Sequence, residues 1–393
     1  MFASRTNWRL EPNRFALALE AHRRSGRKLL DLTASNPTTC GFSYPQQEIL
    51  AALANPQALE YRPESRGLPE TRAAIAEYYR GRAAFAGSIE RVDPERIFLT
   101  SSTSEAYTYV FRLLCEAGDE ILVPEPSYPL LEFLADLADI RLAPYPLLYD
   151  HGWQIDLQGL AAALTPRSRA LLVVHPNNPT GSFVKPREAV ELAAICARRE
   201  MAIVADEVFL DYAPEPAIAP TFALHQASLT FTLSGLSKIA ALPQMKLAWL
   251  IVSGPETLAR QAIDRLEVIA DTYLSPSTPV QLAAPAFLDL RGGLQAQLQQ
   301  RIAANLAHLD HVLGSQSPIT RLEREGGWYA VLRAPASAQD DALAVDLLER
   351  FSVLVHPGHF FNFPRDGFLV LSLITPEAEF LEGVQRLRKF FAA

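Results

Sequence analysis

The chain has 393 residues, 49% hydrophobic and 20% charged, proportions that exclude a disordered or collagen-like polypeptide and suit two or three packed domains. Its formal net charge is −8 and it carries no basic block, which argues against a nucleic-acid binder. Cys40, Cys115 and Cys196 are far apart and form no CxxC pair, so neither a disulfide framework nor a zinc site is expected, and the reduced cytosol is the natural compartment. Residues 1–13 include Arg5, Arg9 and Glu11 and lack the long apolar core of a signal peptide. No apolar run reaches the roughly 18 residues of a membrane helix; 248–252 is strongly apolar but too short.

In chain order, 68–80 predicts a helix with Pro69 just inside its start, where a missing N–H costs nothing. Residues 96–100 predict a buried strand, and a Ser/Thr loop leads from it into a helix over 104–115. Further buried strands are predicted at 120–123, 170–174, 202–205, 230–233 and 247–252, with helices at 185–199 and 255–269. Strands apolar on both faces, alternating with helices, predict an α/β domain with a parallel sheet and right-handed crossovers. Beyond Pro276 and Pro279 the pattern changes. A long Leu-, Gln- and Ala-rich helix is predicted at 292–313, then a strand at 328–333, a helix at 342–350, strands at 353–356 and 368–373, and a last helix at 377–391. That is an α+β pattern and predicts a second, smaller domain.

Four segments carry candidate chemistry. Lys238, in the run Ser234 to Lys246, comes just after a buried strand, beside small residues and before an apolar stretch. Burial disfavours an ammonium and makes the free amine a nucleophile toward an aldehyde, although a lysine on a loop can also be plain surface. His175-Pro176-Asn177-Asn178-Pro179-Thr180-Gly181 consists of turn residues, yet at the end of a parallel strand its asparagines also offer amide groups to a ligand. Asp206-Glu207 ends another buried strand, where a carboxylate is expensive unless paired; it either forms a structural ion pair or holds a cationic ring nitrogen. Thr100 to Ser104 joins a strand to a helix, which suits an anion site or simple N-capping.

A lysine for an imine, an acid for a ring nitrogen, an asparagine for a phenolate and a hydroxyl cradle for a phosphate point together to one cofactor. With Gly118-Asp119-Glu120 and Pro126-Ser127-Tyr128 in the same order, the sequence resembles the class I/II aminotransferases of fold type I from about Leu30 to the C-terminus. The resemblance implies pyridoxal 5′-phosphate as cofactor, and an α/β fold with a mostly parallel seven-stranded sheet in a large domain (45–285). It implies a smaller α+β domain (286–393) and an N-terminal arm with part of the small domain (1–44). It further implies that Lys238 forms the internal aldimine and moves protons, and that Asp206 pairs with the pyridinium nitrogen. Asn178 would donate to the ring oxygen and Tyr128 would stack on the ring. Ser102, Thr103, Ser104 and Ser237 would hold the phosphate. Tyr61 matches the tyrosine that reaches the phosphate in the other subunit, which implies a homodimer with shared active sites. Small-molecule partners, an amino donor and a 2-oxo acid acceptor, are expected; nucleic acid and membrane are not.

The sequence also departs from the family. Lys246 stands where an arginine usually contacts the phosphate, keeping the charge and losing the two-pronged fork. Phe209 stands where a tyrosine usually donates to the ring oxygen, which predicts a raised aldimine pKa. Val370 stands where an arginine usually grips the substrate α-carboxylate, and valine cannot replace its paired hydrogen bonds. Arg24, Arg66 and Arg365 are candidate substitutes. Ser35 replaces a glycine beside Asn36, and both are expected to contact substrate. Asp271, just upstream of Ser275, disfavours a dicarboxylate substrate. The aromatic segment from His356 to Phe363 reads as a packed loop in preference to a pocket wall, and its two histidines do not suit a metal. The expected activity is transfer of an amino group from a neutral amino acid, alanine by default, to a 2-oxo acid. The alternatives are β-elimination or decarboxylation on the same scaffold, a transaminase whose substrate lacks the usual carboxylate contact, and a silent binding module.

Overall fold

The computed structural model describes residues 1–85, 90–214, 219–314, 317–335 and 339–392. After a two-residue strand β1 (Leu30–Asp31), one large sheet is built from β2 (Ile97–Thr100), β3 (Glu120–Glu125), β4 (Arg141–Tyr149), β5 (Trp153–Ile155), β6 (Ser168–Val174), β7 (Ala202–Asp206), β8 (Thr230–Gly235) and β9 (Ala248–Ser253). Their order is β2-β9-β8-β7-β6-β3-β4-β5. β9 runs antiparallel to both neighbours and β5 antiparallel to β4, while the remaining pairs are parallel. Every residue of β2, β7, β8 and β9 is buried. These are the continuous apolar runs of the sequence, and a sheet covered on both faces requires them. Helices Thr103–Leu114 and Glu256–Tyr273 pack on one face through Val110 and Leu266 against Phe231 and Leu250; Pro186–Arg199 packs on the other through Leu192 against Leu171 and Ile203.

The sheet has eight strands where seven were expected. The additional strand is the three-residue β5, which closes a hairpin on β4. β4 itself is mostly half-exposed and contains Pro144 and Pro146, so it offers no continuous apolar run; prolines of this kind are tolerated toward a sheet edge.

The smaller sheet follows the order β10 (Thr320–Arg321), β11 (Tyr329–Arg333), β14 (Phe368–Ser372), β13 (His356–Pro357), all antiparallel, while β12 (Val353–Leu354) pairs in parallel with β1. Leu30, Leu32 and Phe15 share one core with Leu298, Leu347 and Phe380, so residues from the first 44 pack with the C-terminal part.

The expected division at 285/286 falls inside a single helix, Thr278–Leu313, of 36 residues with Pro285 in its interior. A proline there strips the carbonyl four residues earlier of its hydrogen bond. That carbonyl belongs to Gln281, and the Thr71 hydroxyl donates to it at 2.7 Å; the Gln281 side chain in turn accepts from the Leu68 N–H at 2.7 Å. The helix therefore continues through the proline because Thr71 supplies the missing donor. Replacing Thr71 by valine keeps the shape and leaves a buried carbonyl without a partner. We expect a loss of about 1–3 kcal/mol in denaturant unfolding, with the fold retained.

Candidate active site

The carboxyl ends of five parallel strands converge on one cavity of about 190 Å³. Each strand delivers its residue by ending. β7 stops at Asp206. β8 runs into the short helix Leu236–Ile239, which carries Ser237 and Lys238. β2 leads to Thr103, β3 to Tyr128, and β6 to Asn178. Ser35, Val208, Phe209 and Tyr329 also line the cavity, as do Tyr107, Leu131 and Val174.

Side chains alternate across β7, so Asp206 and Glu207 part company. Glu207 is fully buried away from the cavity and accepts from the Thr221 hydroxyl and the Phe222 N–H, both at 2.6 Å; burial pushes its carboxyl up to about 7. Asp206 faces the cavity. The Val208 N–H donates to its Oδ1 at 3.1 Å and the Tyr107 hydroxyl to its Oδ2 at 2.8 Å. Burial raises the Asp206 pKa, and these two donors and the Lys238 charge oppose the rise.

Lys238 is half-buried. Its Nζ lies 4.8 Å from the centre of the Trp328 ring and 5.6 Å from that of Phe209. Desolvation brings its pKa down to about 8, against the opposing pull of Asp206. The Tyr212 hydroxyl donates to the Lys238 carbonyl at 2.7 Å and anchors the short helix.

The turn after β6 divides its two asparagines by task. Asn177 builds the turn, accepting from the Thr180 hydroxyl at 2.9 Å and, through its carbonyl, from the Gly181 N–H at 2.8 Å. Asn178 lines the cavity, and its buried Oδ1 has no hydrogen-bond partner among the described residues. Gly181 sits at φ +72°, and a Cβ there would meet the Gly326 carbonyl at 2.4 Å, so only glycine admits the loop that leads to Trp328. His175 accepts from the Val184 N–H at Nδ1 (3.0 Å) and donates from Nε2 to the Pro220 carbonyl (2.9 Å); burial holds this ring neutral, with a pKa of about 4. It braces the turn and does not line the cavity.

The other expected residues are placed elsewhere. Ser102 caps the helix Thr103–Leu114, accepting from the Glu105 N–H at 3.2 Å, and neither it nor Ser104 is among the cavity walls. Lys246 is exposed and outside those walls. Asn36 is exposed and caps the turn Pro37–Thr39. Tyr61 is 78% exposed and shares a separate surface depression with Asp271 and Ser275. Val370 is fully buried in an apolar cluster with Val331, Phe361 and Phe363. Arg66 pairs with Glu267 and Glu95, Arg24 is exposed beside Glu20, and Arg365 is exposed; none lines the cavity. Lys238 is therefore the one cation among the cavity-lining residues described. The aromatic segment packs as a loop: Phe363 stacks on Phe368 at 4.4 Å, and the Phe361 carbonyl accepts from the Ser127 N–H.

Sequence reading missed Tyr107, Trp328 and Tyr329. Tyr107 lies four residues after Thr103 on the same helix face, a spacing that could have flagged it once Thr103 was placed at the site. Trp328 and Tyr329 enter from the smaller sheet and carry no local signal.

Three comparisons bear on this arrangement. The model of the family described as aminotransferase class I and II matches residues 27–387. The glutamate-pyruvate aminotransferase AlaA of Escherichia coli K12 is 28% identical over 385 residues, 92% of each chain, and an alanine aminotransferase of Mycobacterium bovis is 28% identical over 399 residues, 96% of this chain and 88% of its own. Among solved structures, an alanine aminotransferase from Pyrococcus furiosus matches with a TM-score of 0.85 at 24% identity, covering 97% of this chain and all of its own.

The burial of Val370 yields a prediction. A Val370→Arg protein would place a guanidinium in an apolar cluster without a carboxylate, at a cost on the order of 3–5 kcal/mol. We expect a sharply lower melting temperature.

Proposed function

Since the chain belongs to the class I and II aminotransferases, we propose that it binds pyridoxal 5′-phosphate in the cavity at Lys238 and transfers an amino group from a neutral amino acid to a 2-oxo acid. The observation that carries this reading is the half-buried Lys238 amine, with its pKa brought down to about 8, facing the same cavity as the buried Asp206. The residues fit the cofactor on their own chemistry. Asp206 offers a negative charge to a ring nitrogen, Asn178 brings its side-chain amide N–H, a donor for a ring oxygen, to the cavity from a turn built by Asn177, and Tyr128 and Phe209 offer aromatic surface. Thr103 and Ser237 bring hydroxyls to the first turns of two helices, the usual place for a phosphate.

Bound there, the cofactor supplies an electron sink for a bond broken at the substrate's Cα. The protein's part is acid–base chemistry and placement. Near pH 8 about half of Lys238 is a free amine, able to attack an aldehyde and to take the proton from the substrate's Cα. Asp206 would keep the ring nitrogen's proton in place, and Tyr128, Leu131 and Tyr329 give the cavity an apolar wall. Alanine is the proposed donor and pyruvate the corresponding keto acid. The reading is supported by relatives named alanine and glutamate-pyruvate aminotransferases. The protein acts as a homodimer in the cytoplasm in this reading. Support for the dimer comes from Tyr61 and Leu274, 78% and 61% exposed and lining one depression with Ser275; support for the compartment comes from three free cysteines.

A second reading, a transaminase whose substrate lacks the usual carboxylate contact, is favoured by Val370 and by the absence of an arginine among the described cavity walls.

Borohydride reduction in the presence of pyridoxal phosphate should attach one pyridoxyl group to Lys238, and a Lys238→Ala protein should trap none. The rate at which the apoprotein takes up pyridoxal phosphate covalently, followed by absorbance, should rise with pH to a midpoint near 8, where an unperturbed lysine would titrate near 10.5. Failure to trap sinks the cofactor reading. In a donor panel followed by absorbance, alanine should bleach the cofactor band and yield pyruvate without ammonia. Bleaching by simple amines alone would favour the second reading, and release of ammonia would indicate elimination.

A further inference from the structure

We infer, resting on the cofactor reading above, that Tyr107 is a positioning residue whose hydroxyl holds Asp206 as an aimed, ionised carboxylate for the cofactor's ring nitrogen. The observation is a buried contact between elements far apart in the chain. Tyr107 is 4% exposed, and its hydroxyl donates to Asp206 Oδ2 at 2.8 Å across 99 residues of sequence. The Val208 N–H occupies the other oxygen at 3.1 Å. One donor on each oxygen resists rotation of the carboxylate about its Cβ–Cγ bond.

The chemistry of the donor matters as much as its place. A buried carboxylate needs compensation, and an arginine or lysine in contact would give it by cancelling the charge. A phenol gives hydrogen-bond compensation and cancels nothing. Asp206 thus stays satisfied inside the protein and still presents a full negative charge to the cavity. Tyr107 can only donate to it, because burial and the adjacent carboxylate both oppose ionisation of the phenol. The same helix brings Thr103 to the cavity one turn earlier, so a single rigid element places a hydroxyl at the phosphate end and locks the acid at the ring-nitrogen end.

The test compares binding of two probes to the apoprotein by fluorescence titration: pyridoxal phosphate, and its 1-deaza analogue, in which C–H replaces the ring nitrogen. Tyr107→Phe should weaken pyridoxal phosphate about tenfold, the size expected for a buried hydrogen bond to a charged group, and should change the analogue's affinity little. Introducing 4-aminophenylalanine at position 107, which keeps a neutral donor at the same place, should restore the preference. In an Asp206→Asn background the Tyr107→Phe effect should vanish. Equal loss for both probes would mean that Tyr107 only supports the cavity's shape, and no loss for either would mean that its hydroxyl does nothing there; both outcomes overturn the proposal and leave the cofactor reading intact. If the wild-type protein binds no pyridoxal phosphate, both fall. Should the Phe variant not fold, 4-fluorophenylalanine against 4-aminophenylalanine at position 107 gives the same comparison, and equal preference in the two overturns the proposal.

Discussion

A carboxylate at the buried end of a central strand is the constraint from which the site is built. Asp206 is 8% exposed, and its charge must be answered within the protein. Two neutral donors satisfy its oxygens, and the half-buried Lys238 provides the nearby positive charge. The coupling runs both ways: burial lowers the lysine's pKa and the aspartate limits that fall. One desolvated cavity thus shifts both groups, bringing the amine down to about 8 and the carboxyl above its usual value.

The fold creates that condition by ending its strands together. In a parallel sheet the carboxyl ends lie on one side, so five loops meet without any one of them being long. The smaller sheet closes the space. Its loop crosses Gly181, where a side chain would collide with the Gly326 carbonyl, and delivers Trp328 to Lys238 and Tyr329 to Ser35. The long helix Thr278–Leu313 joins the large and small parts as one rod, with Thr71 relieving the proline inside it.

Val370 is fully buried in an apolar cluster with Val331, Phe361 and Phe363. In the cavity wall, the Asn178 amide oxygen has no hydrogen-bond partner among the described residues. The cavity walls bring hydroxyls from Ser35, Thr103 and Ser237 and aromatic surface from Tyr107, Tyr128, Phe209 and Tyr329.

The amino-acid sequence alone determined the buried strands, because continuous apolar runs need no distant context. It also marked Lys238, Asp206 and Asn178, because each lies within five residues of the end of such a run and a parallel strand delivers its next residues to the ligand side. Strand β4, with its prolines and half-exposed residues, had no such signature. Only the tertiary structure decided that Tyr107 meets Asp206, that Thr71 completes a helix 210 residues away, that Asn177 builds the turn while Asn178 faces the cavity, and that Lys246 and Asn36 stand outside the cavity walls. The reason is physical. Periodicity and turn chemistry act over a few residues, whereas a buried hydrogen bond is defined by which distant elements the packed core brings within about 3 Å.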